Sequence, residues 1–328
     1  MFSTLLRPLA PKSSGDLARI GVLIALAALV LFGALRYDYF LSPYNILSFL
    51  RYNAMFVLIA LGMALVIMTG GIDLSVGGVA ALASVVAALL SPYGWFAGLL
   101  GGLLAGVAVG AVNGFVISRL RIQAFIATLA SQLAAYGTAL LVSGNQSVSA
   151  SYDTAFTSIG QDDFLGFPIP AWIAIVCYVV GWVLLERRPF GRQLLVIGDG
   201  EQTATLMGVK VGRTLFGVYI LSGLCAGLAG VILAAQFGAG QPTEGVGWEL
   251  FAISSVVVGG TLLTGGAGSV GATLAGALLM GMIFNVLNFE NGLGWISLSV
   301  YWQNVIRGVF LLVVVLLQAR LTARTAAA

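Results

Sequence analysis

Histidine is absent from this 328-residue chain, and charge is scarce, with only 8% of residues being Asp, Glu, Lys or Arg. An ordinary soluble domain carries roughly a quarter. Without His, the commonest general base and the commonest metal ligand are both missing, so enzymatic chemistry starts with a handicap. Cysteine is limited to Cys177 and Cys225, each inside an apolar run. Such residues behave as small buried hydrophobes, and they support neither a disulfide framework nor a metal site. The lysines are Lys12 and Lys210, and neither completes the G-x-x-x-x-G-K-[ST] frame of a phosphate-binding loop, so the chain does not hydrolyse ATP by itself. No Ser occupies a G-x-S-x-G elbow. The net charge of +3 does not point to nucleic acid, because Lys and Arg in an apolar chain report orientation instead.

What the chain has is hydrophobicity: 59% apolar residues and a mean hydropathy of +1.03. It reads as an all-α polytopic membrane protein. Against the roughly 20 residues needed to cross a bilayer, about ten candidate spans appear. They lie near 17–36, 46–69, 74–91, 95–118, 122–142, 168–185, 214–236, 249–263, 269–288 and 299–318. The third and eighth are short enough to be broken or re-entrant. Placing both termini in the cytoplasm gathers Arg7, Lys12, Arg19, Arg119, Arg121, Arg187, Arg188, Arg192, Lys210, Arg213, Arg320 and Arg324 on the inside, and leaves Arg36, Arg51 and Arg307 elsewhere. The organisation expected is a tail over 1–16, a membrane domain over 17–318 with a long cytoplasmic loop at 186–213, and a tail over 319–328.

Gly70-Gly71-Ile72-Asp73-Leu74-Ser75-Val76-Gly77-Gly78 interrupts two membrane-length runs with a carboxylate. A charge there costs several kcal/mol unless it faces protein or water, and backbone leaves helical geometry at that depth only where it is buried or lines a cavity. Thr69-Gly70-Gly71 and Ser75-Val76-Gly77 are echoed by Thr264-Gly265-Gly266 and Ser269-Val270-Gly271. Paired interrupted segments of this kind point to a transport site in repeat-built carriers. Gly70, Gly71, Gly77, Gly265, Gly266 and Gly271 are therefore the candidate hinge positions. Gly98, Gly102, Gly106, Gly110 and Gly114 form one smooth stripe on the fourth span, suited to close helix contact. Gly266-Ala267-Gly268-Ser269-Val270-Gly271 matches a dinucleotide fingerprint, but its membrane-length apolar flanks exclude the βαβ context that motif needs.

In the 186–213 loop, Asp199 is a plausible helix N-cap, Glu201 falls near the positive helix end and Gly208 can stop the helix. Leu206, Met207 and Val209 would form an apolar patch beyond the lipid, suited either to docking a partner or to folding against the bundle.

The nine-residue break, this loop, Ala239-Gly240-Gln241-Pro242-Thr243-Glu244-Gly245-Val246-Gly247-Trp248-Glu249-Leu250 leading into Val257-Val258-Gly259-Gly260-Thr261, and Arg121-Ile122-Gln123-Ala124-Phe125-Ile126-Ala127-Thr128-Leu129 carry a family resemblance. With Tyr301-Trp302-Gln303 added, the chain from about residue 45 to 318 resembles the membrane permease subunit of ribose-type carbohydrate ABC importers. The resemblance implies a ten-helix subunit of a bacterial inner membrane that pairs with a second permease, identical or paralogous. It also implies an external sugar-binding protein and a tandem-domain ATPase that binds ATP and Mg, leaving no cofactor in this chain. The loop aligns with the family's coupling helix, which tips its reading towards docking through Gly198, Asp199, Glu201, Ala204, Leu206, Met207, Gly208 and Val209. The family more often has Gly-Gly-Asn-Glu where this chain has Gly198-Asp199-Gly200-Glu201.

A transported sugar is neutral and rich in hydroxyls, so its pathway needs polar groups that substitute for water. Asn53, Thr69, Asp73, Ser75, Asn113, Gln123 and Gln132 are the candidates. Asp73 has two readings, contact with sugar or capping of the helix that starts at Leu74. Arg307, with Gln303 and Asn304, places a further polar group in the last span. Two other readings share much of this pattern: a branched-chain amino acid permease, and an ion-coupled secondary transporter or facilitator. The latter would normally carry more ionisable residues near the midplane of several spans.

Overall fold

A computed structural model describes residues 14–292 and, beyond them, residues 302, 305, 306, 308, 309, 312 and 316. Most of the expected tenth span, Arg307 included, most of the N-terminal tail and the whole 319–328 tail therefore lie outside the described residues.

The apolar runs form α1 (Ser14–Arg36), α2 (Pro43–Met68), α3 (Val76–Leu90), α4 (Trp95–Leu120), α5 (Ala124–Ser143) and α7 (Ile169–Trp182), with a four-residue α6 (Ser158–Gln161) between the last two. Then come α8 (Pro189–Asp199), α9 (Glu201–Leu206), α10 (Val211–Phe237), α11 (Trp248–Val258) and α12 (Val270–Gly292). Among the described residues seven helices are long and apolar enough to cross a membrane, and the apolar stretches Ile20–Arg36 and Trp248–Val258 are shorter. Two small antiparallel pairs decorate the loops: β1 (Val148–Ser149) with β4 (Ala239–Gly240), and β2 (Asp163–Phe164) with β3 (Phe167–Pro168).

The hydrophobic core is built around α2. In its most apolar window 83% of residues are buried, against 22% in α5, so α2 is central and α5 peripheral. The α4 glycine stripe faces inward along its whole length. A Cβ on Gly106 would lie 2.2 Å from the carbonyl oxygen of Gly223, and one on Gly223 would lie 2.3 Å from that of Gly106. Small residues on both helices let α4 and α10 approach to backbone contact, which replaces the hydrophobic drive that lipid does not supply. At the other edge, Tyr37, Phe40 and Phe289 cluster, and the Tyr37 hydroxyl donates to Glu290 at 2.7 Å, fastening the end of α1 to α12.

Three features differ from expectation. The eighth span, expected over 249–263, is helical only from Trp248 to Val258, because Gly260 adopts φ +89 and ends it. The 186–213 segment is more ordered than a loop. A π-helical turn at Val183–Arg187 closes α7, and α8 follows, with Pro189 starting it and Gly191, Leu194 and Ile197 buried. Asp199 is not an N-cap: it is the last residue of α8, and Gly200 takes the cap position of α9. A φ of 165 at Gly200 is extended backbone, so the chain turns between two short helices without a side-chain cap.

Candidate translocation site and coupling corner

α2 ends in a hydrogen-bonded glycine cap. Gly70, at φ +79, donates to Ile67 and Gly71 donates to Val66, satisfying carbonyls that a helix end otherwise orphans. α11 ends the same way, with Gly260 donating to Val257 and Thr261 to Val256. The structural counterpart of Thr69-Gly70-Gly71 is thus Gly259-Gly260-Thr261, while its sequence echo Thr264-Gly265-Gly266 lies further along, in the segment leading to α12. The second half of the echo does correspond: Ser75 and Ser269 each accept the first helical hydrogen bond, from Val79 and Thr273.

The two breaks touch. Gly266 donates its backbone N–H to the carbonyl of Met68 at 3.1 Å, and a Cβ on Gly265 would lie 2.7 Å from the Gly70 nitrogen. Gly198, near the end of α8, closes the corner: its Cβ would lie 2.2 Å from both the Met68 oxygen and the Gly266 nitrogen. Four glycines meet at this corner, and a side chain on Gly198, Gly265 or Gly266 would have no room.

Beyond the first break the chain turns into a buried polar network. Asp73 is 1% exposed and accepts hydrogen bonds from the backbone N–H and hydroxyl of Ser75 and, at 2.7 Å, from the hydroxyl of Ser222 on α10. Ser75 Oγ accepts in turn from Asn113 Nδ2 on α4 at 2.9 Å, and Asn113 Oδ1 accepts from Ser131 on α5. Thr128 of α5 accepts the Leu74 N–H at 3.1 Å. The carboxylate's cost of burial is offset by these donors, and the network joins the starts and middles of four helices.

At the opposite end of α2 a cavity of about 630 Å3 opens. Asn53 lies about 22 Å along the helix from Met68, at 1.5 Å per residue. Its wall combines Asn45, Ser48, Arg51, Asn53, Gln161, Gln236, Asn285 and Asn288 with Phe49, Tyr52, Phe56, Phe251 and Phe284.

Residues 45–315 match the family described as the permease component of the branched-chain amino acid transport system. The chain belongs to this permease family. It is 38% identical to the ribose import permease protein of Bacillus subtilis (strain 168), over 94% of this chain and 95% of that protein. It is 37% identical to the L-arabinose transport system permease protein of Escherichia coli (strain K12), over 94% and 93%. The D-allose transport system permease protein of the same bacterium is 34% identical over 88% of each.

In this permease the candidates for the pathway separate into groups. Asn53 lines the cavity. Asp73, Ser75 and Asn113 share the buried network, whereas Thr69 bonds back to Val66 at 2.7 Å. Gln132 hydrogen-bonds Glu249, and Gln123 is exposed at the start of α5. Of the hinge glycines, Gly77 packs against the Gly245 carbonyl and Gly71 against the Tyr219 hydroxyl, but a Cβ on Gly271 would meet nothing within 4 Å. On α9, Leu206 and Met207 are 90% and 68% exposed, while Ala204 is buried with Ile197 and Leu215. Gly208, at φ +80, and Val209 close α9 with the same glycine cap, donating to Thr205 and Ala204.

Sequence reasoning missed the amides of Gln236, Asn285 and Asn288. Their signal was present as polar residues at the ends of otherwise apolar spans, which hydropathy treats as boundary.

Proposed function

We propose that this chain is the membrane subunit of an ATP-driven importer that forms the pathway for a monosaccharide or related polyol. The observation that carries the reading is its similarity, over nearly its whole length, to permeases named for ribose, L-arabinose and D-allose. Those relatives favour sugar over amino acid, although the wider family is described by the amino acid branch.

In this reading about ten helices cross the inner membrane with both tails in the cytoplasm, and a second permease subunit completes the pathway. An external binding protein delivers sugar, and a tandem-domain ATPase binds ATP and Mg. The exposed Leu206 and Met207 dock that ATPase, with Glu201 and Asp199 at the rim. Closure of the nucleotide-binding domains moves α9 and α8, and the contact of Gly198 with Met68 and Gly266 carries the movement to both breaks. No covalent step occurs in this chain.

The test is uptake of radiolabelled ribose, arabinose and allose into proteoliposomes holding the chain with its ATPase and binding protein. Uptake that needs both partners and ATP supports the reading. Uptake by the chain alone, indifferent to ATP, overturns it.

A further inference from the structure

Arg187, Arg188 and Arg192 are exposed where α7 passes into α8. Among the described residues no carboxylate lies within ion-pair distance of any of them; the ion pairs there join Arg36 to Glu290 and Arg51 to Asp163. Glu186, their neighbour in the chain, is engaged by an indole, its Oε2 accepting from Trp182 Nε1 at 2.7 Å.

The π-helical turn Val183–Arg187 builds this corner. On an α-helix residues five apart point about 140° away from one another. The wider π turn brings both Glu186 and Arg187 back to Trp182, and the Arg187 guanidinium carbon lies 4.7 Å from the indole centroid. Such turns are rare and occur frequently at functional sites. Stacking occupies a face of the guanidinium, and no described residue takes its N–H edges. Those edges are the part that binds a phosphate through paired hydrogen bonds.

The helix leading to this corner is bare. Ile175, Val176, Val179 and Val180 are all exposed, and only 28% of the most apolar window of this span is buried within the subunit, against 72% in α10. An apolar face, then an indole, then exposed cations within one further turn and at the start of α8 is the order in which a phospholipid presents tails, interface and phosphate. Three cations without acidic partners favour a lipid of negative charge, since each Lys or Arg near an anionic surface gains about 1 kcal/mol.

We propose that the junction of α7 and α8 binds the headgroup of an anionic phospholipid, with Arg187, Arg188 and Arg192 as phosphate ligands and Trp182 as the platform that positions Arg187. The site requires that α7 cross the membrane and is independent of which solute the permease carries. A headgroup held here anchors the start of α8, whose far end carries Gly198 at the coupling corner.

The test follows thermal unfolding of the full-length chain in a neutral detergent, titrated with short-chain phosphatidylglycerol or phosphatidylcholine. A ligand of the native state raises Tm with its concentration. Phosphatidylglycerol is expected to raise the Tm of the wild-type chain and phosphatidylcholine to leave it unchanged. In Arg187→Gln/Arg188→Gln that rise should fall by more than half, and in Trp182→Leu, which alters no charge, it should also fall. Both arginines are exposed, so their replacement leaves the fold intact. The comparison variant is Arg119→Gln/Arg213→Gln, which removes the same charge near the meeting ends of α4 and α10, where a Cβ on Gly212 would lie 3.6 Å from the Ser118 oxygen. It should keep the full rise. No rise in the wild-type chain overturns the site, as does an equal rise with both lipids. An equal loss in the two arginine double variants also overturns it, because attraction is then spread over a basic end. Co-purification of Arg187→Gln/Arg188→Gln with the ATPase is expected to match wild type; its loss beside an unaltered lipid response assigns the patch to the ATPase and overturns the lipid site.

Discussion

The backbone N–H of Gly266 donates to the carbonyl of Met68 at 3.1 Å, joining the segment that leads into α12 to the last residue of α2. These residues are nearly 200 positions apart in the chain. The bond uses a carbonyl from the last turn of α2, where no following turn of helix supplies a donor. Gly198 sits against both partners, so any displacement of α8 must either shear this bond or move both breaks together.

Gly198→Ala places a methyl 2.2 Å from two backbone atoms. Backbone cannot yield as a flexible side chain does, and overpacking of this kind costs about 1–3 kcal/mol. The expected result is a permease that still binds its ATPase but imports several-fold less sugar per ATP hydrolysed. A coupling ratio equal to wild type would show that the corner transmits nothing.

Asp73→Ala removes the acceptor for Ser75 and Ser222 at once. Buried donors left unpaired cost about 1–3 kcal/mol each. Thermal unfolding in detergent should show a clearly lower Tm, while Ser222→Ala, which removes a single donor, should lower it less. Equal shifts in the two variants would contradict the network.

Glycines in this chain should respond in opposite directions. Gly106→Ala drives a methyl into the Gly223 carbonyl, 2.2 Å away, and should lower Tm and the yield of folded protein. Gly137→Ala, in the middle of α5 with nothing within 4 Å, should be neutral or stabilising by about 0.5–1 kcal/mol, since alanine restricts the unfolded chain. Comparing the two melting curves checks the α4–α10 contact directly.

Met207→Asp changes a side chain that is 68% exposed, so the fold should hold to within about 0.5 kcal/mol. Co-purification with the ATPase should fall sharply. Retained co-purification would move the docking surface off α9.

Several elements were legible without coordinates. The α4 stripe followed from a glycine every four residues, and the eighth span read as short from the length of its apolar run, although its end at Gly259-Gly260 was not foreseen. The helix α8 was not anticipated, because Pro189 and the flanking arginines read as loop although Pro favours the first turn of a helix. The equivalence of the two breaks was misaligned by sequence: Thr264-Gly265-Gly266 copies the letters of the α2 terminus, but Gly259-Gly260 copies its hydrogen bonds.

The sequence by itself determined the membrane class, the positions of most spans and the presence of a helix-breaking carboxylate, because each depends on local composition and length. Only the tertiary structure decided that Asp73 turns inward to Ser222, that Gly198 meets both breaks, and that Gln236 and Arg51 share a cavity. The reason lies in the solvent. Lipid is as apolar as a protein core, so hydropathy marks which residues leave water but carries no signal for which face of a helix meets another helix. That choice is made by close packing of small residues and by polar groups finding partners far away in the chain.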